Sequence, residues 1–278
     1  MGAVTRTKKS AEELPRFWRD PALPFIEVRY VADGRRVCYE KHTHARFSIG
    51  AILAGESSYL HGDTMHRVTA GSLVLVNPQQ AHACNPIRDQ AWSYYMFYVD
   101  ADWLAALQGA ASFQAFSVHL SRDQHLFDGL LELYSKLHAD SPAEVKTQAA
   151  EQYFSDLYQR LRGHASAFPM TVTAPELARK LQLAADYIDT HFQSDLNIAD
   201  ICAYAGLSAS YLFRSFSRHY GMSPHAYLIN RRVQFAQTRL QQGQPIADVA
   251  LEAGFADQAH LQRVFKRLLA ATPGQYAG

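Results

Sequence analysis

The chain of 278 residues has little cysteine, no long apolar run and almost no excess of charge. Its three cysteines, Cys38, Cys84 and Cys202, are odd in number and far apart. This usage is typical of a reducing compartment and excludes a zinc-finger set. No stretch of eighteen apolar residues occurs, so no transmembrane helix is predicted. The N-terminus lacks the apolar core of a signal peptide and has Arg6 where a myristoylation motif needs Ser or Thr. These absences predict a cytoplasmic protein without a membrane anchor.

The balance of charge says little about partners. The formal net charge is +1, and the segment from Ala174 to the end has ten Lys or Arg against eight Asp or Glu. A protein that binds nucleic acid by bulk charge is usually far more basic. Any argument for DNA binding must therefore rest on geometry.

The hydrophobic pattern divides the chain into two domains of different class. An apolar fraction of 48% is enough for packed cores. Short apolar runs bounded by Gly, Pro, Asn or Asp, such as 47–53 and 92–99, predict the strands of a jelly roll or barrel. The predicted segments are a flexible arm over 1–24, a β-barrel domain with following helices over 25–163, a linker over 164–174 and an all-helical domain over 175–278.

Two amphipathic helices are predicted after the barrel. Ser121-x-x-Gln124 has the form of a capping box, and Ser141-Pro142 has the form of a second helix start. Apolar residues at helical spacing follow each start. Their stripes either cover the barrel or form a seam between two copies of the chain. We expect a homodimer that uses the helices over 121–162.

The last hundred residues contain one unit twice, over 198–227 and 246–276. Each unit has a short apolar helix, a glycine turn, a second helix with an Arg-x-Phe ending, and a Ser/Thr-Pro-x-x-Tyr tail. This order is typical of a helix-turn-helix, whose second helix enters the DNA major groove. A long helix predicted over 223–240 would fix the separation of the two second helices. One turn of B-DNA needs about 34 Å between them, and a shorter connector requires bent DNA.

Both second helices carry polar side chains opposite their apolar face. Gln and Arg can each make two hydrogen bonds to a base edge, whereas Ser and Tyr more often contact phosphates. One such residue is typical of a solvated helix face, but the doubled set indicates DNA binding. The predicted contacts are Ser208, Ser210, Tyr211, Phe213, Arg214, Ser217 and Arg218 in the first unit, and Gln258, His260, Gln262, Arg263 and Lys266 in the second.

These motifs resemble the DNA-binding domain of the AraC/XylS family of bacterial transcription regulators. The resemblance rests on Ile246-x-x-Val249-Ala250-x-x-x-Gly254-Phe255-x-Asp257, on Leu261-x-Arg263-x-Phe265 and on Thr272-Pro273-x-x-Tyr276. It covers the whole of 175–278. The resemblance implies sequence-specific binding to double-stranded promoter DNA, activation more often than repression, and contact with RNA polymerase.

The first domain resembles the cupin barrel that serves as the common sensor of this family. His42-Thr-His44, and Gly71-x6-Pro78 before His82, are similar to the two cupin motifs, His-x-His and Gly-x5-Pro followed by His. Metal-dependent cupins add a glutamate, but Ser48 and Ile49 occupy that region here. The three histidines could therefore bind a metal, contact a ligand directly or serve as polar residues at strand ends. We predict no metal and no cofactor.

The resemblance implies a small-molecule effector inside the barrel. Strand alternation places Trp92, Tyr94, Met96 and Tyr98 on one face, which would serve either core packing or a pocket with few polar anchors. The predicted effector-binding residues are His44, Arg46, His82, Cys84, Tyr94 and Met96.

The sequence thus predicts an α+β two-domain regulator that is not an enzyme and has no catalytic residues. The alternative is a metal-dependent cupin enzyme tethered to a DNA-binding module, which the missing glutamate disfavours. A DNA-repair fusion of the same family would need clustered cysteines that the chain lacks.

Overall fold

A computed structural model of the chain describes residues 15–35, 37, 39–163 and 174–278. The first domain contains two antiparallel sheets, ordered β1-β2-β8-β3-β6-β9 and β5-β4-β7. The strands are β1 (Arg16–Trp18), β2 (Ile26–Val31), β3 (Phe47–Ala54), β4 (Glu56–His61), β5 (Thr64–Thr69), β6 (Leu73–Val76), β7 (His82–Pro86), β8 (Ser93–Val99) and β9 (Leu120–Ser121). Side chains of both sheets share one core, as in a cupin-like barrel.

The larger sheet is buried on both faces, which explains its nearly continuous apolar strands. In β6, Val74 points into the space between the sheets, and Leu75 points outward to the helices. In β8, Tyr94 packs between the sheets and Phe97 packs in the core beneath the helices. Strand alternation thus separates the interior of the barrel from the layer beneath the helices.

Three helices follow and cover the outer face of this sheet: α1 (Ala101–Leu107), α2 (Gln124–His138) and α3 (Ala143–Leu161). The apolar stripes of α2 and α3 are buried there, so these stripes cover the barrel and only the opposite helix faces are available to a partner. The predicted capping box is wrong. Asp123 is the N-cap of α2 and accepts a hydrogen bond from Leu126 N, because Ser121 still belongs to β9.

The predicted arm over 1–24 is wrong for its last ten residues. Strand β1 pairs with β2, and Leu23 is fully buried beneath the helices. Apolar side chains between the prolines supply the burial energy that a polar arm would lack. Residues 1–14 lie outside the described part of the chain.

The second domain is helical, as predicted. Its helices are α4 (Pro175–His191), α5 (Ile198–Ala205), α6 (Ala209–Tyr220), α7 (Pro224–Gln241), α8 (Ile246–Glu252), α9 (Gln258–Leu269) and α10 (Pro273–Ala277). They form two small cores, one around α5 and α6 and the other around α8 and α9. Helix α7 contributes to both cores and joins the units. The predicted linker over 164–174 lies outside the described residues except for Ala174, the N-cap of α4.

The two domains contact each other through a polar interface on α7. Asn230 is 3% exposed; its Oδ1 accepts from Thr43 N at 3.2 Å, and its Nδ2 donates to Thr43 Oγ1 at 2.7 Å. Gln234 Nε2 donates to the Thr43 carbonyl at 2.9 Å. Thr43 is the residue between His42 and His44, so the loop of the first cupin-like motif lies directly on the connector of the helical domain.

Candidate nucleic-acid interface and effector cavities

The first helix-turn-helix consists of α5, a turn at Gly206 and α6. Gly206 has a φ of 62°, a left-handed conformation that side chains disfavour, so α5 ends there. Leu212 and Phe216 hold α6 on its core. The predicted contact residues of this helix lie on the opposite face. Ser208, Ser210, Tyr211, Phe213, Arg214 and Arg218 are exposed, and Ser217 is half-buried.

The second unit has the same construction. Asp257 caps α9 by accepting a hydrogen bond from His260 N at 2.6 Å, as the sequence predicts. Leu261 and Phe265 are buried at the positions that Leu212 and Phe216 occupy in the first unit. Gln258, Gln262, Arg263 and Lys266 are exposed, and His260 is half-buried with its ring edge on Phe255 at 5.2 Å.

Not every arginine of this domain is available to DNA. Arg232 donates to the carbonyls of Phe192 and Ser194 at 2.7 and 2.8 Å, and Arg231 pairs with Asp189 at 2.7 Å. These arginines fix α7 to the end of α4. By contrast, no carboxylate of the described residues lies within 4 Å of Arg214, Arg218, Arg263 or Lys266. Their positive charges therefore face solvent on the two second helices.

The interior of the barrel contains a cavity of about 20 Å³, called here the barrel cavity. A water molecule needs about 10–15 Å³, and small-molecule pockets are on the order of 300–1,000 Å³. Four predicted effector residues, His82, Cys84, Tyr94 and Met96, line this cavity. The Tyr94 and Tyr39 hydroxyls hydrogen-bond at 2.5 Å, and burial raises the pKa of the Cys84 thiol to about 12. The barrel cavity is therefore closed to an effector unless side chains move.

The three motif histidines are neutral at pH 7. Burial lowers the pKa of His42 to about 4 and of His44 to about 3, and it holds the pKa of His82 well below its usual value. Each Nδ1 lies 2.6–2.9 Å from a backbone carbonyl and must donate to it, since a carbonyl only accepts. Among the described residues, no group of three or more His, Cys, Asp or Glu is arranged to hold a metal ion.

A larger cavity of about 170 Å³, called here the interdomain cavity, lies between the barrel and α7. The other two predicted effector residues, His44 and Arg46, line it. The structure thus divides the predicted effector set between two cavities, with His42 lining both. The wall opposite the barrel comes from the helical domain and is mostly polar, with Val233, Leu268 and Leu269 beside the polar residues Asn230, Gln234, Gln237, Thr238, Gln241 and Tyr276.

Arg29 is the unusual group of the interdomain cavity. It is 1% exposed, and its Nη1 donates to the carbonyl of Leu269 at 2.7 Å. The guanidinium also interacts with the side chains of Tyr39, Tyr94 and Tyr98, of which Tyr98 is close enough to act as a hydrogen-bond partner, and its Cζ lies 5.2 Å from the centre of the Tyr39 ring. Nε and Nη2 have no acceptor that meets both the distance and the angle of a hydrogen bond. No carboxylate of the described residues lies within 4 Å of Arg29; Glu27 pairs instead with Arg19 at 2.7 Å. Buried charge without a counter-ion is costly, so the site favours an anion.

Arg29, Thr43, Asn230 and Gln234 were not among the candidate residues predicted from the sequence. A signal for Arg29 is visible in the strand Ile-Glu-Val-Arg-Tyr-Val, where one arginine faces a buried side of the sheet. The amides of α7 give no such signal, because polar residues on a helix normally indicate a solvated face.

Comparison with known proteins decides the family. A model of the AraC-like ligand binding domain matches residues 25–161, and a helix-turn-helix domain model matches residues 201–278. The chain belongs to the AraC family. It is a transcription regulator that combines a DNA-binding helix-turn-helix domain with a ligand-binding domain.

Curated proteins similar to this AraC-family regulator are also named as transcription regulators. The uncharacterized HTH-type transcriptional regulator YbfI of Bacillus subtilis is 27% identical over 246 residues, which is 87% of each chain. The raffinose operon regulatory protein RafR of Pediococcus pentosaceus is 28% identical over 192 residues, or 68% of each chain. An apo variant of ToxT from Vibrio cholerae has the same fold, with a TM-score of 0.61 over 91% of this chain and 97% of its own at 14% identity. Of the described helices, none has the length and apolar character that crossing a membrane needs.

Proposed function

We propose that this regulator activates transcription by placing α6 and α9 in successive major grooves of one duplex, under the control of an anionic effector. The observation that supports DNA contact by these helices is the pair of exposed polar faces joined by one helix. We assign the twelve residues named for the two units to this contact. The positive charges of Arg214, Arg218, Arg263 and Lys266 have no carboxylate within 4 Å among the described residues, so DNA phosphates can neutralise them.

The length of α7 supports binding to bent DNA. Its 18 residues correspond to about 27 Å at 1.5 Å per residue. Two successive grooves on one face of straight DNA are about 34 Å apart. If α7 sets the separation, the duplex must bend toward the protein, at a cost of a few kcal/mol.

The test of DNA binding is retention of the DNA that flanks the protein's own gene. The full chain is mixed with that DNA at two salt concentrations with excess competitor. We expect specific retention that weakens with salt, because phosphate contacts release counter-ions. Equal retention of the flanking DNA and of scrambled DNA of the same composition would contradict sequence-specific binding.

For the effector, we propose a small molecule with a carboxylate or similar anionic group that binds Arg29 in the interdomain cavity. The support is the buried guanidinium, whose nitrogens Nε and Nη2 lack an acceptor in hydrogen-bond geometry, beside the larger of the two cavities described. A structure of ToxT is described as bound to an unsaturated fatty acid, so an acidic ligand is compatible with this fold. The effector-binding residues would then be Arg29, His44 and Arg46, whereas His82, Cys84, Tyr94 and Met96 line the separate barrel cavity and would contact the effector only if side chains moved.

Arg29 also offers a route from effector to DNA. Its Nη1 binds the carbonyl of Leu269, the last residue of α9. An anion that draws the guanidinium into the cavity would weaken or reorient this bond, and the position of α9 would change with it. Effector binding and DNA binding then bias one equilibrium.

Thermal denaturation of the full chain with a panel of small carboxylates tests this site. Ligands that raise the Tm of the wild type should not raise that of Arg29→Met, which keeps length but not charge. Arg29→Lys is the matched control and should retain part of the shift. An equal shift in wild type and Arg29→Met would contradict the assignment. That outcome would leave the proposed DNA contacts of α6 and α9 standing, because the experiment tests only the effector site.

We further propose a cytoplasmic homodimer that contacts RNA polymerase. The outer faces of α2 and α3 form a groove lined by His125, Gly129, Glu132, Lys136, Gln152 and Asp156, and a second copy would pack there. The fragment 175–278 should be a DNA-binding monomer, whereas the full chain should sediment as a dimer. A fragment that dimerised as tightly as the whole chain would contradict this seam.

We propose no catalytic activity, in keeping with the relatives, which are regulators.

A further inference from the structure

The two second helices differ in chemistry at the exposed position that precedes an arginine they share. Counting from the N-caps Ser208 and Asp257, Arg214 of α6 corresponds to Arg263 of α9, and both are exposed. The residue before each arginine is Phe213 in the first unit and Gln262 in the second. The same position on the same face therefore carries an apolar ring in one unit and an amide in the other.

Packing within the unit does not explain Phe213. Its side chain is 40% exposed, whereas Leu212 and Phe216 on the other face are fully buried. Helix α6 has no acidic residue in its first turn, and Arg214 and Arg218 are exposed on it. A polyanion can therefore approach this face, on which Phe213 directly precedes the exposed Arg214.

The chemistry of the two residues selects different bases. Glutamine can donate to and accept from adenine in the major groove, whereas phenylalanine forms no such hydrogen bond. The apolar group that a base pair presents in the major groove is the C5-methyl of thymine. Burial of that methyl against a ring is favourable, and a polar base edge in the same place would lose water without a partner.

We propose that Phe213 specifies a thymine in the half-site of the first unit through contact with its C5-methyl group. The inference rests on the proposed insertion of α6 into the major groove. The two units would then use different chemistry, with apolar contact in the first and hydrogen bonds from Gln262 and Arg263 in the second. An operator of this regulator would be asymmetric, since the half-sites present different groups.

The test compares thymine with deoxyuridine, which differs by the methyl group alone. The full chain first selects its preferred site from random-sequence duplexes. Each thymine of that site is then replaced singly by deoxyuridine, and affinity is measured by fluorescence anisotropy. We expect one position to lose about fourfold in affinity, equivalent to about 0.8 kcal/mol for one buried methyl.

Variants connect this loss to Phe213. Phe213→Ala should bind the thymine and deoxyuridine duplexes equally, and Phe213→Gln should shift the selected base at that position from thymine to adenine. Gln262→Ala is the matched control in the second unit; it should weaken both duplexes alike and keep the fourfold ratio. Because Phe213 is exposed, its replacement should leave the Tm nearly unchanged.

Two results would overturn the proposal in different ways. If a site is selected but no deoxyuridine replacement lowers affinity, or if Phe213→Ala keeps the ratio, contact with the methyl group is wrong and DNA binding stands. If the wild type selects no sequence at all, the proposed function fails together with the inference.

Discussion

Replacement of Asn230 by alanine should weaken the coupling between the unfolding of the two domains. The side chain is buried in the interface and bridges α7 to Thr43, with one bond to the backbone N–H and one to the hydroxyl. In the variant, the Thr43 N–H loses this acceptor within the interface. The Thr43 hydroxyl keeps two longer contacts: it donates to Gln79 Oε1 at 3.5 Å and accepts from Gln234 Nε2 at 3.4 Å.

The magnitude follows from these partners. A buried N–H left without an acceptor costs about 1–3 kcal/mol, and the truncated amide leaves a small void. We therefore expect Asn230→Ala to lower the free energy of unfolding by about 2–3 kcal/mol. Thr43→Val removes only the hydroxyl. The double variant Asn230→Ala/Thr43→Val should lose about 1 kcal/mol less unfolding free energy than the sum of the two single variants, which is the usual contribution of one hydrogen bond.

Two optical signals can follow the domains separately. All three tryptophans, Trp18, Trp92 and Trp103, lie in the barrel half, so their fluorescence reports the barrel. Far-UV circular dichroism is dominated by the helices, and most helical residues belong to α4–α10 of the second domain, although α1–α3 also contribute. In urea, the two signals should coincide for the wild type and separate for Asn230→Ala, because the domains then unfold independently. Coincident transitions with an unchanged midpoint would refute the coupling that we assign to this pair.

Three further outcomes are expected. Arg263→Ala should cost about 1–3 kcal/mol in specific binding and relax the preference at one base pair without changing the Tm; unchanged affinity for the selected site would remove Arg263 from the contacts. Lowering the pH from 7 to 5 should reduce stability, because the unfolded chain protonates His42 near pH 6.5 and the folded chain only near pH 4. His42 alone accounts for about 2 kcal/mol by pH 5, and His42→Asn should flatten the pH dependence of the Tm. Gly254→Ala should destabilise by more than about 2 kcal/mol, since φ is 81° and a Cβ would lie 2.8 Å from the Gln193 carbonyl. Gly206→Ala, with a φ of 62° and no described atom within 4 Å of the added carbon, should lower the free energy of unfolding by only about 1 kcal/mol. If Gly254→Ala and Gly206→Ala were equally destabilising, the close approach to the Gln193 carbonyl would not explain the effect at Gly254.

Local patterns explain why so much of the helical domain could be predicted. The caps Asp257 and Ser223, the turn at Gly206 and the apolar pairs four residues apart act within one or two helical turns. Their effect is therefore visible in a short stretch of sequence. The same holds for barrel strands that end at Gly, Pro or Asn, such as β3, β4, β6 and β7. The start of α2 was harder to place, because Ser121 and Asp123 both fit an N-cap and the pairing of β9 decides between them.

The sequence by itself determined the β-then-α order, the doubled helix-turn-helix and the faces of α6 and α9 that meet solvent, since each follows from the periodicity of neighbouring residues. Only the tertiary structure decided that the stripes of α2 and α3 cover the sheet, that β1 belongs to it and that the predicted effector residues divide between two cavities. Cavity size and the environment of Arg29 depend on residues as far apart as 29 and 269 in the chain. The proximity of such residues is set by packing, for which no local pattern gives a signal.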